Sequence, residues 1–94
     1  MGQYQKEPQA RIGYAIDWSP RLARGATIAE SRWRVSPNEP GGMTAQAAEA
    51  EPGQTAASIS GGRVGQTYRI VNRVTFSDGR VAERMVALNT GARR

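Results

Sequence analysis

The sequence predicts an all-β fold, an antiparallel sandwich or barrel of about six to seven short strands, because turn-forming clusters recur about every 8 to 12 residues. The composition agrees, since hydrophobic residues make up only 38% of the 94 residues while there are 11 Gly and 5 Pro. Several segments alternate apolar and polar side chains with the period of a half-buried strand. A chain of this length builds a single core, so we expect one domain.

The composition also excludes several kinds of chemistry. There is no Cys and no His, which excludes disulfides, thiolate metal sites and most zinc and acid-base catalysis. No cofactor is expected. No apolar run approaches the roughly 20 residues that cross a bilayer, and the N-terminus lacks a signal-peptide core, so we expect a soluble protein that is not exported and has no membrane partner.

The charged residues favour a basic surface. The net charge of +5 comes from 13 basic and 8 acidic residues, and every basic residue except Lys6 is Arg. The planar guanidinium group pairs with carboxylates through two hydrogen bonds, which suits contacts with acidic protein surfaces. The same composition is also typical of a basic surface that is simply solvated.

The first third of the chain predicts an arm followed by two strands. Residues 1–11 are polar and contain Pro8, which indicates an extended arm that becomes ordered only when something binds it. Residues 14–18 alternate apolar and polar side chains and predict the first strand. Residues 27–35 predict the second strand, with Ala29, Ser31, Trp33 and Val35 on one face and Ile28, Glu30, Arg32 and Arg34 on the other.

The middle of the chain predicts a loop and two further strands. Residues 36–42 contain several Pro and Gly residues and predict a loop. Residues 43–51 have good helix propensity, but they span only about two turns and offer no large apolar residue after Met43, so we interpret them as a strand. Thr55, Ala57 and Ile59 alternate in a fourth strand.

The last two strands predict a β-hairpin around Ser77-Asp78-Gly79. A two-residue turn would place Arg73 opposite Arg84 and would bury Glu83. A three-residue loop with Gly79 in a left-handed conformation, a G1 bulge, places Arg73 opposite Glu83 instead. We predict the second register, in which Asn72 faces Arg84 and lies near an edge or against a polar backbone group.

Tyr68 stands at the entry to this hairpin, three residues after Gly65. The pattern is that of a tyrosine corner, in which the phenol hydrogen-bonds to the backbone a few residues upstream. An ordinary core tyrosine is the alternative. In either case the hairpin resembles the final one of an immunoglobulin-like sandwich.

Scattered positions across residues 14–88 resemble a family of small tailed-bacteriophage proteins described as fibre-tail adaptors. They are Ile16-Asp17-Trp18, Gly25-x-Thr27-Ile28-x-x-Ser31-x-Trp33, Gly61-Gly62, Gly65-x-x-Tyr68-x-Ile70-x-Asn72-x-Val74 and Gly79-Arg80-x-x-Glu83-Arg84. The resemblance implies an immunoglobulin-like antiparallel β-sandwich, which we place at residues 12–89, between the extended arm at residues 1–11 and a basic C-terminal tail at residues 90–94.

The same resemblance implies a non-enzymatic structural protein of the virion, made in the host cytoplasm. It would join the tail or neck to the tail fibres through contacts with other virion proteins, in several symmetry-related copies. A capsid decoration protein is the first alternative. A small basic nucleic-acid-binding β-barrel is the second, but Trp18 and Trp33 are better explained as core residues, and the Arg residues form no dense cluster, so nucleic acid is not an expected partner.

No catalytic site is expected. Asp17 and Glu83 are the carboxylates in predicted strands beside apolar neighbours; Glu83 is assigned to Arg73, and Asp17 to a cap or an ion pair near a strand end. We expect the arm to add to a neighbour's sheet edge, the loop to dock on a partner and the Arg residues to meet an acidic surface. The predicted partner-binding residues are Gln3, Tyr4, Gln5, Lys6, Arg11, Arg32, Arg34, Pro37, Asn38, Arg69 and Arg73. The predicted structural residues are Trp18, Trp33, Tyr68, Gly79 and Glu83.

Overall fold

A computed structural model of the chain describes residues 3–6 and 10–91 and shows two β-sheets packed face to face. The four-stranded sheet has the spatial order β1 (Gln3–Lys6), β7 (Val81–Thr90), β6 (Thr67–Phe76) and β3 (Ile28–Ser36). The three-stranded sheet has the order β2 (Ile12–Asp17), β5 (Gln54–Ser60) and β4 (Thr44–Ala48). A single 3-10 turn, Ser19–Arg21, follows β2.

The order of the strands is that of an immunoglobulin-like sandwich. If β1 to β7 are lettered A to G, strands C, F and G share one sheet and strands B, E and D share the other. The first strand pairs with the last strand instead of joining the other sheet, and this pairing is parallel while all others are antiparallel. The predicted all-β sandwich is therefore confirmed.

The core consists of the inward-facing residues of both sheets and forms two neighbouring clusters. One contains Met43, Ile59, Tyr68, Ile70, Val86 and Leu88. The other contains Ile16, Trp18, Val74, Phe76 and Ala82. Tyr14 and Trp33 pack against both clusters, with their rings edge to face at 6.2 Å. The predicted core positions of Trp18 and Trp33 thus differ in degree, because Trp18 is fully buried and Trp33 only half-buried.

The ambiguous segment 43–51 contains a strand, as predicted. Residues Thr44 to Ala48 pair with β5 over five positions, whereas a helix of two turns is marginal without packing. Met43 is buried just before the strand and anchors it to the core. Tertiary pairing therefore overrides the helix propensity of the alanines.

The predicted faces of β3 need a correction at its start. The antiparallel pairing with β6 shifts between Ile28 and Glu30, where a β-bulge inserts one residue. Ile28 therefore packs against the core instead of sharing the outer face with Glu30, and Ala29 is exposed. Beyond the bulge the predicted alternation holds, with Trp33 inward and Arg34 outward.

The register of the last hairpin is the predicted one. Arg73 pairs with Glu83 and Asn72 with Arg84. The loop has three residues, because the Phe76 amide donates to the Arg80 carbonyl at 2.8 Å and the Gly79 amide donates back to the Phe76 carbonyl at 2.9 Å. Gly79 has φ of 94°, the left-handed region that a G1 bulge requires.

The sandwich extends beyond both of its predicted boundaries, residues 12 and 89. Within the predicted arm, residues Gln3–Lys6 form β1 and pair in parallel with β7, from Gln3 opposite Ala87 to Lys6 opposite Thr90. They therefore join the sandwich of their own chain, because the edge of β7 would otherwise present unpaired amides and carbonyls. β7 also continues through Thr90, the first residue of the predicted tail. The remaining arm and tail positions 1–2, 7–9 and 92–94 lie outside the described residues.

Candidate protein-binding interface

The outer surface of the four-stranded sheet carries four of the predicted partner-binding residues. Arg32 and Arg34 project from β3, and Arg69 and Arg73 project from β6, because each alternates with an inward-facing neighbour. The register places Arg32 directly opposite Arg73 and Ser36 opposite Arg69. We call the surface formed by these four Arg residues the basic face.

The carboxylates on this sheet only partly neutralise the basic face. Glu30 binds Arg32 at 2.8 Å, while Glu83 lies 2.9 Å from Arg73 and 4.0 Å from Arg34. Arg69 has no ion pair among the residues that the structure describes. Four guanidinium groups thus face two carboxylates. The uncompensated positive charge is exposed and free to meet an acidic surface.

The centre of the basic face is apolar. Val71 and Met85 are half-buried and lie opposite each other on β6 and β7. Together with Arg34 and Arg69 they line a shallow depression of about 650 Å³. An apolar centre bordered by Arg side chains is the usual composition of a protein-binding patch. The predicted hairpin register already paired Val71 with Met85. That these two residues lie among the Arg side chains follows from the pairing of β3 with β6, which the sequence did not predict.

The other predicted partner-binding residues lie elsewhere. Pro37 and Asn38 are exposed in the loop that begins where β3 ends, beside the Arg69 end of the basic face. Arg11 is exposed but precedes β2, in the opposite sheet. The backbone of Gln3–Lys6, which includes Tyr4 and Gln5, forms the edge strand beside β7. Arg11 and β1 therefore lie apart from the four Arg residues, whereas Pro37 and Asn38 adjoin them at Arg69.

The predicted tyrosine corner is present and anchors the Pro/Gly loop. The Tyr68 phenol accepts a hydrogen bond of 2.9 Å from the Arg63 amide, five residues upstream, and donates one of 2.7 Å to a Glu39 carboxylate oxygen. Burial raises the pKa of Tyr68, and the bond to Glu39 raises it further. The Arg63 guanidinium donates to the Pro40 carbonyl. The loop that carries Pro37 and Asn38 is thus fixed at its far end. No sequence pattern indicates this role of Glu39, because its partner lies 29 residues away.

A buried polar cluster lies behind the basic face. Asn72 is fully buried in the central strand β6, so the predicted position near an edge is wrong, whereas the predicted polar backbone partner is correct. Its amide nitrogen donates to the Arg32 carbonyl at 3.0 Å and to the Ser31 hydroxyl at 2.9 Å. Its oxygen accepts from the Trp18 indole at 3.2 Å and from the Thr55 hydroxyl. The cluster therefore connects both sheets.

Arg84 faces Asn72 across the strand pair without being buried. Its guanidinium carbon lies 5.6 Å from the centroid of the Trp18 ring, and the side chain is exposed. The aliphatic stem and charged head of an Arg can cover an aromatic ring while the charge stays in water. Arg84 thus covers the fully buried Trp18 at the margin of the sandwich.

The carboxylates considered for catalysis have structural partners. The Ser19 amide donates to Asp17 at 3.0 Å, and hydrogen bonds from Ser19 lower the pKa of Asp17. Glu83 pairs with Arg73 on the other sheet, as predicted. Among residues 3–6 and 10–91, no group of three or more Asp or Glu side chains is placed to hold a metal ion. In the same part of the chain, no helix has the length and apolar character needed to span a membrane.

An immunoglobulin-like sandwich with an exposed basic sheet face has the features of a structural, protein-binding module. In a comparison with protein-family models, residues 6–89 match the podophage GP4 fiber-tail adaptor protein gp77 family. The chain therefore belongs to this family of phage fibre-tail adaptors, and the resemblance noted in its sequence is confirmed. Membership implies a structural role in the virion tail. No curated protein matches the chain.

Proposed function

We propose that this protein joins the tail or neck of a phage particle to its tail fibres, in several symmetry-related copies. The family match over residues 6–89 carries this proposal, since it covers the sandwich except for residues 3–5 of β1 and Thr90 of β7, and the fibre-tail adaptor is the family's described role. In this proposal the protein is made in the host cytoplasm and then assembles into the particle.

The basic face is the proposed contact with a neighbouring tail or neck protein. Its four Arg residues outnumber their two carboxylate partners, and Val71 and Met85 offer apolar area in the middle. An acidic surface is the complementary partner, because opposite charges accelerate association and like charges exclude wrong partners. The exposed loop residues Pro37 and Asn38 extend the same surface at one end.

The two alternative roles have less support. A nucleic-acid-binding barrel needs exposed aromatic rings on which bases can stack, whereas Trp18 is fully buried and Trp33 packs against both core clusters. A capsid decoration protein would use the same fold on the shell of the particle, and the location of the protein in the particle distinguishes it from a tail adaptor.

Complementation of a phage that lacks this gene tests the proposal. We expect Arg34→Glu with Arg69→Glu to abolish incorporation into particles, because reversal at the basic face repels an acidic partner. The matched control is Arg21→Glu with Arg24→Glu, which reverses two exposed charges outside the basic face and should leave incorporation unchanged. Circular dichroism and thermal melting establish that both double variants fold.

Mass spectrometry of purified virions measures incorporation, and a cryo-EM map locates the protein. We expect a few copies of the protein at the tail vertex. Particles that lack the protein should also lack fibres. Density spread over the capsid, or fibres that attach normally without the protein, would contradict the adaptor role. Equal incorporation of the two double variants would contradict the role of the basic face but not the adaptor role.

A further inference from the structure

Strand β4 is an edge strand without the usual protection against a second chain. It pairs with β5 on one side, and in the described part of the chain no strand pairs with its other side. Natural edges are protected by charged residues, Pro or a bulge. The opposite sheet follows this rule, because its edge strand β3 has a bulge and carries Arg32 and Arg34. The Thr-Ala-Gln-Ala-Ala sequence of β4 has no charge and no Pro, and its pairing is regular.

The two ends of this edge carry opposite charges. Glu49 and Glu51 follow β4 and are exposed, and their carboxylates form no ion pair within the described part of the chain. Arg63 lies at the other end, where its guanidinium donates to the Pro40 carbonyl and lies 3.9 Å from the Glu39 carboxylate, while its side chain remains 59% exposed and within reach of a further carboxylate. An edge that is acidic at one end and basic at the other is complementary to a second copy of itself turned through 180°.

Small side chains keep the edge accessible. A groove of about 390 Å³ runs between β4 and β3, and on the β4 side it is lined by Ala47 and Ala48. Gln46, in the middle of the strand, faces outward and is exposed. No bulky side chain of β4 therefore stands between its free backbone groups and an approaching strand.

We propose that two copies of this protein pair through β4, antiparallel about a two-fold axis at Gln46. The pairing joins two three-stranded sheets into one continuous sheet and satisfies the free amides and carbonyls of both edges. Thr44 of each copy faces Ala48 of the other, and the Gln46 side chains face each other. The acidic end of each copy then lies beside the Arg63 end of the other.

This contact is separate from the proposed docking of the basic face. β4 belongs to the three-stranded sheet, and the basic face is the outer surface of the four-stranded sheet. The self-association can therefore be disproved while the adaptor role holds, and the adaptor role can be disproved while the self-association holds. The test uses the purified full-length chain alone, without any other virion protein.

Sedimentation equilibrium of the full-length chain should show a dimer. Gln46→Lys and Gln46→Glu should each give monomers, because the two-fold axis places like charges directly opposite each other at about 4.5 to 5.5 Å between Cα atoms. An equimolar mixture of the two variants should restore the dimer, since Lys then faces Glu. Only an axis that places residue 46 opposite itself predicts this selective rescue.

The matched controls are Ala15→Lys and Ala15→Glu. Ala15 is exposed on the same surface of the same sheet, but on the opposite edge strand β2, so both controls should remain dimeric. Glu49→Gln with Glu51→Gln should raise the dissociation constant about tenfold, which is the order expected for several exposed ion pairs. A monomeric wild type, a dimer that persists in Gln46→Lys, or a mixture that stays monomeric would each overturn the proposal.

Discussion

Arg73 and Glu83 face each other across β6 and β7, with Arg73 Nη1 2.9 Å from Glu83 Oε2. The alternative register of the hairpin would have placed Arg73 against Arg84. The pair thus belongs to a register in which every large apolar residue of the hairpin faces the core except Val71, Val81 and Met85. Because both side chains are about half exposed, its contribution to stability is small.

A double-mutant cycle measures this contribution. For Arg73→Gln and Glu83→Gln we expect a coupling free energy of about 0.2–1 kcal/mol at low salt, falling toward zero near 1 M NaCl because salt screens exposed charges. The measurement is urea unfolding of the four proteins at each salt concentration. A salt-independent coupling, or none at low salt, would show that the charges do not interact in solution.

The fully buried Asn72 should be far more important for stability than the half-buried Asn89. We expect Asn72→Ala to lower the free energy of unfolding by about 2–4 kcal/mol, because it opens a cavity and leaves the Arg32 carbonyl without its side-chain donor. Asn89→Ala is the matched control, since Asn89 makes one exposed hydrogen bond to Thr67, and should cost about 1 kcal/mol or less. Chemical denaturation measures both, and equal costs would argue against the buried cluster.

Gly79 should tolerate substitution poorly for reasons of backbone conformation alone. A Cβ atom there would meet nothing within 4 Å, so the cost of Gly79→Ala comes from φ of 94° and should be about 1–2 kcal/mol. Gly13 also has open space but lacks a positive φ, so Gly13→Ala should stay within about 0.5 kcal/mol of wild type or stabilise the protein. Thermal unfolding compares the two; a harmless Gly79→Ala would contradict the G1 bulge.

Tyr68 should make stability depend on pH in the alkaline range. Its pKa is raised in the folded state, mainly by burial, so above about pH 10 the unfolded chain loses the phenolic proton first. The stability contributed by Tyr68 is therefore complete below about pH 10 and is lost as the pH rises through the raised pKa.

The variant that isolates this effect is Tyr68→Phe. It should cost about 1–2 kcal/mol near pH 8, because the Arg63 amide loses its acceptor, and its deficit should shrink as the pH rises above about 10. Glu39→Gln keeps an oxygen acceptor for the phenol and should cost less at pH 8. Urea unfolding between pH 8 and 11 measures both variants. A deficit that stays constant with pH would exclude the titration of Tyr68 as its cause.

Local features of the sequence predicted the strands and the last hairpin, because alternation, turn residues and the charges of Arg73, Glu83 and Arg84 act within about twenty residues of each other. The features that the sequence did not predict depend on residues that are far apart along the chain. Asn72 is buried by Trp18, 54 positions away, and β1 pairs with β7 at the other end of the chain. The bulge at Ile28 arises from the match between β3 and β6.

The basic face was likewise predicted only in its local features. Alternation predicted that Arg32, Arg34, Arg69 and Arg73 point away from the core, and each of them was a predicted partner-binding residue. That they share one surface depends on which strands are neighbours, and this follows from the immunoglobulin-like strand order. Arg11 was predicted to bind a partner as the last residue of the arm, and the structure places this residue next to β2 in the other sheet, away from the basic face.

The parallel pairing of β1 with β7 has a mechanical consequence. The first and last strands lie side by side and run in the same direction, so a force that pulls the two chain ends apart along the strands loads all their backbone hydrogen bonds together, in shear. A force across the strands would instead break the bonds one after another. We expect deletion of residues 1–6 to lower the unfolding force in single-molecule pulling from the chain ends, and an unchanged force would refute this expectation. In the proposed adaptor role such loads would pass through this protein, and β1, the shortest strand in the described part of the chain, would be the one that resists them.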